Sequence, residues 1–291
     1  MKSVDRRDFL KLSGMAGVTF TAGLFPAWNA SAQAGGDFHF VQFSDTHWGY
    51  KGPANPDAEH TLEKAIVTVN GLANKPDFIV FTGDLTHTTD DGAERRARMK
   101  RFKEIVSALN VKDVRFLAGE HDASLDKGAA FKEFFGATYY TFDHKGVHFI
   151  ALDNVSDPGA KLGDEQLAWL AADLKQRMPD DRIVVLTHRP LFDLVPNWDW
   201  TTADGAKAID LLMPYQNVVV FYGHIHQEND HMTGHIAHHA AKSLIFPQAA
   251  PGNAPRRPPP PFDASLKPLG TRDVAMGGKV PVITELPVTK A

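Results

Sequence analysis

Six short runs of apolar, largely β-branched or aromatic residues recur along the chain and predict buried strands. They read FHFVQFS (38–44), DFIVFTG (77–83), VRFLAG (114–119), VHFIALD (147–153), RIVVLTH (182–188) and VVVFYGH (218–224). Apolar residues at helical spacing with charged faces predict helices over 60–74, 94–110 and 163–178, the last capped by Asp164. This alternation predicts an α/β fold in which a core sheet is covered by helices.

Two regions depart from the alternation. The segment YYTFDHKGVHFIALD (139–153) predicts a hairpin that turns at His144 to Gly146, so part of the sheet is expected to be antiparallel. A proline-rich stretch at about 251–264 predicts irregular or extended chain, and GGKVPVITELPV (277–288) predicts a last strand pair.

The first 34 residues differ in character from the rest. They contain a twin arginine, Arg6 and Arg7, then a mildly apolar stretch and small residues in ASAQA (30–34). This pattern predicts a twin-arginine export signal over 1–34, cleaved to leave a domain of 35–291 in the periplasm, with the export machinery as a partner. Glycine, serine and threonine dilute the apolar stretch, so stable membrane insertion after cleavage is not expected.

Composition excludes several kinds of chemistry. The net charge is −4, and removal of the basic signal makes the remainder more negative, so nucleic acid and anionic membranes are not expected partners. The chain has no cysteine, which excludes disulfides, thiolate metal sites and cysteine nucleophiles. Any metal must therefore be bound by histidine, carboxylate or amide side chains.

Five of the six predicted strands end in a polar cluster. The carboxyl ends of strands in an α/β sheet share one edge, so these clusters are expected to converge although each residue alone could be a cap or a solvated side chain. The candidates are Asp45, His47, Asp84, Glu120, His121, Asp122, His188, His224 and His226. The seven candidates other than His121 and Asp122 are three carboxylates and four imidazoles, which exceed the needs of one zinc ion and fit two ions bridged by a carboxylate. Mixed nitrogen and oxygen donors favour Mn, Fe or Zn over Ca or Mg.

The order of these motifs resembles the signature of the calcineurin-like metallophosphoesterases. Their D-x-H, GD, GNH followed by D or E, lone H and GHxH occur here as DTH, GD, GEHD, H and GHIH between residues 45 and 226. The resemblance implies a four-layer α/β/β/α sandwich of two mixed sheets, with a dinuclear metal site at one edge. By position it assigns Asp45, His47 and His226 to the first metal, Asp84 to the bridge, and His188 and His224 to the second.

The activity implied by the resemblance is hydrolysis of a small phosphodiester or phosphomonoester by in-line attack of a hydroxide held between the metals. His121 falls on the histidine that contacts the phosphate and protonates the leaving group, and Asp122 either orients that imidazole or serves as a cap. GDLTHTT (83–89) lacks the second Asp and the Arg of the GDxVDRG motif in serine/threonine phosphatases, so the chain looks more like the cyclic nucleotide phosphodiesterase branch. Export argues against an intracellular cyclic nucleotide as substrate. Because export of a folded protein permits metal loading in the cytoplasm, Fe or Mn is favoured and Zn is possible.

Glu120 departs from the motif, which has Asn at that position. An anion in place of a neutral amide is expected to tighten metal binding but to lower the positive charge available to a phosphate. Diesters are then expected to be preferred over dianionic monoesters. The same departure leaves a second hypothesis open, a catalytically weak or inactive metal-binding relative with a binding or sensing role.

Three further groups of side chains have open assignments. His87 faces the same cleft or lies in a solvated loop. Trp198 and Trp200 form a rim over the substrate or pack as an apolar lid. The histidines of HMTGHIAHH are expected on a strand pair and its turn rather than at another metal; they are His231, His235, His238 and His239.

Overall fold

The structure is a computed structural model that describes residues 37–249, 259–278 and 280–288. The predicted export signal and residues 251–258 of the proline-rich stretch lie outside these ranges. Elements follow in the order β1(His39–Phe43), α1(Ala58–Asn70), β2(Phe78–Thr82), α2(Gly92–Val106), β3(Val114–Leu117), α3(Glu120–Ala123), α4(Ala129–Phe135), β4(Tyr140–His144), β5(Val147–Ala151), α5(Gly163–Leu174), β6(Arg182–Leu186), α6(Gly205–Leu212), β7(Asn217–Tyr222), β8(Asn229–Thr233), β9(Ile236–Ala240), β10(Gly270–Ala275) and β11(Val282–Pro287). Within these ranges, no helix is long and apolar enough to span a bilayer.

The strands form two mixed sheets. The first has the order β11-β10-β1-β2-β3, with β1, β2 and β3 parallel. The second has the order β4-β5-β6-β7-β9-β8, with β5, β6, β7 and β9 parallel. Strand periodicity alone predicted one core sheet, and this was wrong, because the same apolar pattern serves strands of either sheet. The two-sheet sandwich implied by the resemblance is confirmed.

Aromatic side chains fill the space between the sheets. Phe40 of the first sheet stacks on Phe78 with ring centroids 5.0 Å apart and meets Phe149 and Phe221 of the second sheet edge-on at 5.8 and 5.7 Å. All four rings are fully buried. The outer faces are also covered, since Phe81 packs on Phe102 of α2. Strands buried on both faces read as continuous apolar runs, which is the pattern in the sequence.

Several local predictions need correction. Helix α5 begins at Gly163 with Leu162 as N-cap, so Asp164 lies in the first turn and does not cap the helix. The hairpin is confirmed, since β4 and β5 pair antiparallel around Lys145 and Gly146. The last strand pair was placed wrongly, because only β11 lies within 277–288 and its partner is β10. Strand β10 reads GTRDVA, whose polar residues hide its strand character.

Candidate metal centre

The seven predicted ligands lie where strands leave the sandwich at one edge. Asp45 and His47 follow β1, Asp84 follows β2, Glu120 opens α3 after β3, His188 follows β6, and His224 and His226 follow β7. Six of these side chains are buried, and that of Glu120 is 21% exposed. The convergence predicted from the strand ends is therefore present in the structure.

The seven side chains divide into two groups of three with a shared carboxylate. The ligand atoms of Asp45, His47 and His226 lie within 4.8 Å of one another, and so do those of Glu120, His188 and His224. Between the groups, Asp84 Oδ2 lies 3.3 Å from His47 Nε2 and 3.4 Å from His188 Nε2. One carboxylate oxygen thus faces both groups, which is the arrangement needed for two neighbouring ions.

The backbone is strained at five of these residues. Positive φ angles between 42° and 66° occur at Asp45, His47, Asp84, His224 and His226. Residues other than glycine rarely occupy this left-handed region, at a cost of about 1–3 kcal/mol each, and such strain persists where the surroundings fix the conformation. The strain turns each side chain from the strand direction toward the common centre.

Two motif glycines are required by close approach. Gly83 has a φ of 99°, and a Cβ there would overlap Nδ1 of His188. A Cβ on Gly223 would overlap the hydroxyl of Ser44 and the carboxylate of Asp45. The glycines of GD and GHIH therefore let one loop pack directly against the ligand of another.

Three imidazoles are oriented by backbone carbonyls. A carbonyl oxygen only accepts, so the contacting ring nitrogen must carry a proton, and the other nitrogen is the one that faces the cluster. The contacts are His188 Nδ1 to Thr82 O at 2.7 Å, His224 Nε2 to Asp199 O at 3.0 Å, and His226 Nδ1 to Phe246 O at 2.9 Å. Each contact prepares its histidine as a metal ligand.

The ligand atoms that face the centre are better suited to bind a metal ion than to form hydrogen bonds with one another. Nε2 of His47 lies 3.2 Å from Nε2 of His226. Burial, together with neighbouring histidines, lowers the pKa of His47 well below its usual value, so this imidazole is neutral. Within the described ranges, the buried atoms Glu120 Oε2, His188 Nε2 and His224 Nδ1 have no hydrogen-bond partner outside their own group of three residues. Bound metal ions would satisfy these atoms.

Glu120 reaches both histidines of the second group. Its carboxylate oxygens lie 2.8 Å from His188 Nε2 and 2.9 Å from His224 Nδ1. Burial raises the pKa of Glu120, but the two histidines outweigh burial and hold it well below its usual range. Burial lowers the pKa of His188, but Asp84 and Glu120 outweigh it and hold it well above its usual value. In the absence of metal, a proton on His188 therefore offsets the negative charge of Asp84 and Glu120. A metal ion that binds His188 must displace this proton.

His121 is positioned by Thr88. Nδ1 of the imidazole lies 2.6 Å from the Thr88 hydroxyl and 3.2 Å from the Thr88 backbone nitrogen. Because a backbone N–H only donates, Nδ1 accepts and the ring proton is on Nε2, which lies 4.0 Å from Asp84 Oδ2. The backbone N–H of His121 also donates to Asp84 Oδ1 at 2.9 Å. The imidazole N–H therefore sits beside the shared carboxylate.

Asp122 braces the loops and does not orient the imidazole, so its predicted catalytic role is corrected. Its carboxylate accepts from the N–H groups of Gly119, Leu85 and Thr86 and from the Thr86 hydroxyl, at 2.9 to 3.0 Å. Burial and Asp84 raise the pKa of Asp122 to about 6, against the effect of these donors. Four bonds occupy both oxygens, and they tie the loop after β2 to the loop after β3.

Sequence reasoning missed several neighbours of the centre. His87, whose assignment was open, faces the cleft, with Nδ1 3.3 Å from His47 Nδ1 and its ring stacked 4.9 Å from that of His121. Thr88 and Arg189 adjoin the motifs, and their adjacency was the available signal. Phe246 had no signal, because the carbonyl it supplies comes from a loop remote in sequence.

The remaining open side chains have structural roles. Trp200 is fully buried and packs with Tyr222, and Trp198 meets Trp200 edge-on at 4.7 Å, so the pair belongs to an apolar cluster. The prediction for the histidine-rich segment is confirmed, since it forms strands β8 and β9 and their turn. The potential metal groups found among the described residues include none of these histidines.

Comparison with known proteins identifies the family and the fold of this chain. The chain matches a family model described as calcineurin-like phosphoesterase over residues 38–228. A probable glycerophosphodiester phosphodiesterase of Arcobacter nitrofigilis is 29% identical over 207 residues, which cover 64% of this chain and 71% of the relative. A 3′,5′-cyclic adenosine monophosphate phosphodiesterase of Pseudomonas aeruginosa is 30% identical over 226 residues, which cover 74% and 78%. A solved dimetal phosphatase from Danio rerio shares the fold, with a TM-score of 0.55 at 16% identity over 87% of this chain and 99% of that one.

Replacement of the bracing carboxylate tests its structural role. Asp122→Asn turns an acceptor into an amide N–H that faces backbone donors, so we expect a loss of about 3 kcal/mol in the free energy of unfolding. The measurement is urea denaturation at neutral pH with a chelator present. The control Asp90→Asn alters an exposed carboxylate and should change stability by less than about 0.5 kcal/mol. Equal stability of the two variants would contradict the bracing role.

Proposed function

Because this chain belongs to the calcineurin-like phosphoesterase family, we propose that it is a dinuclear-metal-dependent enzyme that hydrolyses small phosphodiesters or phosphomonoesters. The observation that carries the proposal is the pair of three-residue groups that share Asp84. The names of the relatives support a small diester as the first substrate class to assay. Glu120, which motivated the alternative of an inert relative, directs its carboxylate to both histidines of its group, so it retains a ligand geometry.

The two groups divide the work of metal binding. Asp45, His47 and His226 would hold the first ion, Glu120, His188 and His224 the second, and Asp84 would contact both. When bound, the ions supply positive charge for the phosphoryl oxygens and lower the pKa of water near them. The chain contributes fixed imidazole lone pairs, because the opposite ring nitrogens of three of the four histidines donate to carbonyl oxygens.

His121 would donate a hydrogen bond to the leaving oxygen. Its proton is on Nε2, the nitrogen beside Asp84, and its Nδ1 is held by Thr88. Because Nδ1 accepts from the Thr88 N–H, the ring is a neutral hydrogen-bond donor, and its Nε2–H would stabilise the negative charge that develops on the leaving oxygen. The benefit is greatest for a leaving group that is a poor anion, such as an alkoxide.

Metal content and turnover test the proposed function directly. We expect about two equivalents of transition metal per chain, loss of diester hydrolysis on chelation, and recovery on addition of Mn or Fe. Asp84→Ala should lower turnover by about a thousandfold because both ions lose a ligand. The control His60→Ala removes an exposed imidazole and should change neither quantity. Two bound metals without hydrolysis of monoesters, diesters, cyclic nucleotides or pyrophosphate would instead favour a binding role.

Substitution of Thr88 tests the positioning of His121. Thr88→Val removes the hydroxyl contact, so we expect kcat to fall about tenfold for a diester with an alkyl leaving group and less than about threefold for a nitrophenyl ester. Thr88→Ser keeps the hydroxyl and should restore kcat for the substrate with the alkyl leaving group. The matched control is Thr89→Val, because the Thr89 hydroxyl accepts from the Asp91 N–H and not from an imidazole. An equal loss on both substrates would show that Thr88 does not act through the hydrogen bond from His121 to the leaving oxygen.

We also propose that the protein is exported to the periplasm in folded form and carries Fe or Mn acquired in the cytoplasm, with Zn as the alternative. The support is the twin arginine within the apolar and small-residue pattern of residues 1–34. If the protein folds before export, it binds its metals in the cytoplasm, where Cu and Zn from the periplasm do not compete with Fe or Mn for the site.

Replacement of the twin arginine tests export. We expect the double variant Arg6→Lys, Arg7→Lys to remain in the cytoplasm at its uncleaved mass, whereas the parent chain is recovered from the periplasm about 3.6 kDa smaller. Cell fractionation followed by mass spectrometry provides the measurement. Lys11→Arg, a basic-to-basic change in the same segment, is the control. Normal export of the double variant would exclude the twin-arginine route.

A further inference from the structure

Arg189 places a guanidinium beside the second group of predicted ligands. Its side chain is 11% exposed, and Nη2 lies 3.7 Å from Oε1 of Glu120. Nη1 donates at 2.6 Å to the carbonyl oxygen of Asp199, which also accepts from Nε2 of His224. In the part of the chain that the structure describes, Nε of Arg189 has no hydrogen-bond partner. The guanidinium therefore keeps donor capacity at the edge of the metal centre.

The position of this cation is set by its backbone. The carbonyl oxygen of Arg189 accepts from Asn154 Nδ2 and from the Thr187 hydroxyl, both at 2.9 Å. Its N–H donates to Asn154 Oδ1 at 3.3 Å, and Asn154 is fully buried. Arg189 also follows His188 directly in the chain. With both backbone groups bonded and the side chain largely buried, the guanidinium cannot move far from Glu120.

The formal charges at the centre indicate what the contact between Arg189 and Glu120 does. Two divalent ions carry four positive charges. Asp45 and Asp84 would leave two of them for an anionic phosphoryl group if the third position were a neutral Asn. The carboxylate of Glu120 removes one more, and the guanidinium of Arg189, which stays charged at all physiological pH values, returns it.

We propose that Arg189 is the charge partner of Glu120, and that the two residues together replace the neutral amide expected at position 120. The inference rests on the proposed function, since it requires an anionic phosphoryl group to bind at the metal centre. It changes the expectation for Glu120. The pair leaves the affinity for a dianion intact, and a relative preference for diesters arises only when Arg189 loses its charge.

Four proteins test whether the two charges compensate each other, without turnover. The proteins are the parent, Glu120→Asn, Arg189→Gln and the double variant, each loaded with excess Mn²⁺ and checked for metal content. The probe is inorganic phosphate, with its affinity measured by calorimetry. We expect Arg189→Gln to weaken phosphate binding about tenfold, Glu120→Asn to tighten it about tenfold, and the double variant to bind within about threefold of the parent.

The outcomes separate the charge pair from other roles of Arg189. If the double variant binds phosphate as weakly as Arg189→Gln, removal of the Glu120 charge does not make up for loss of the guanidinium, and the proposed compensation is overturned. If Glu120→Asn leaves the affinity unchanged, the pairing also fails, and this arm does not depend on the folding of an Arg189 variant. Arg189→Lys, which keeps the charge, should stay within about threefold of the parent.

A control arginine lies at the other end of the same strand. Arg182 at the start of β6 donates to the carbonyl oxygens of Met276 and Gly278, so Arg182→Gln should leave phosphate affinity unchanged. Failure of the proposed function is distinguishable from failure of the pair. If the parent and its variants show the expected phosphate affinities but the parent hydrolyses no ester, the charge pair is supported and the proposed enzymatic function is not.

Discussion

Seven titratable side chains are gathered at one edge of this protein, and six of them are buried. The contacts of the surrounding loops compensate for the free energy that this burial costs. Removing carboxylates and imidazoles from water is unfavourable unless hydrogen bonds or opposite charges replace hydration. The candidate ligands accordingly have fixed partners away from the centre. Backbone carbonyls hold three imidazoles, the N–H of His224 donates to Asp45, and the N–H of His121 donates to Asp84. These same contacts leave the inward-facing atoms free for cations.

The sandwich provides the rigidity that this arrangement requires. Left-handed backbone at five ligand candidates is unfavourable by itself and is held in place by loops that pack without slack, as at Gly83 and Gly223. Behind the loops, the aromatic layer around Phe40 fixes the two sheets against each other, so strand ends from both sheets meet at one place. The stability of the core thus offsets the strain at the edge.

The sequence predicted the centre more completely than the architecture around it. The ligand candidates were accessible because each follows an apolar run and the edge rule for strand ends brings them together. The partition into two sheets was not accessible from periodicity, since strands of both sheets have the same pattern. Strand β10 was missed because Arg272, which looks exposed by type, is buried against Glu285. The contacts of Thr88, Arg189 and Phe246 depend on loop conformations that no local pattern encodes. Asp122 was misassigned for the same reason, because three of its four donors lie in the loop after β2, more than thirty residues away.

The carbonyl of Phe246 bears on where the autonomous folding and metal-binding unit ends. The family match stops at residue 228, and that span contains every ligand candidate. Yet Phe246 orients His226, Ser243 donates to the carbonyl of Asp45, and β10 covers the open side of β1. A fragment that ended with the last motif would keep the complete donor set but expose the edge of the central strand and release one imidazole. The boundary of the functional module is therefore set by main-chain partners downstream of the motifs, and ligand residues alone do not define it.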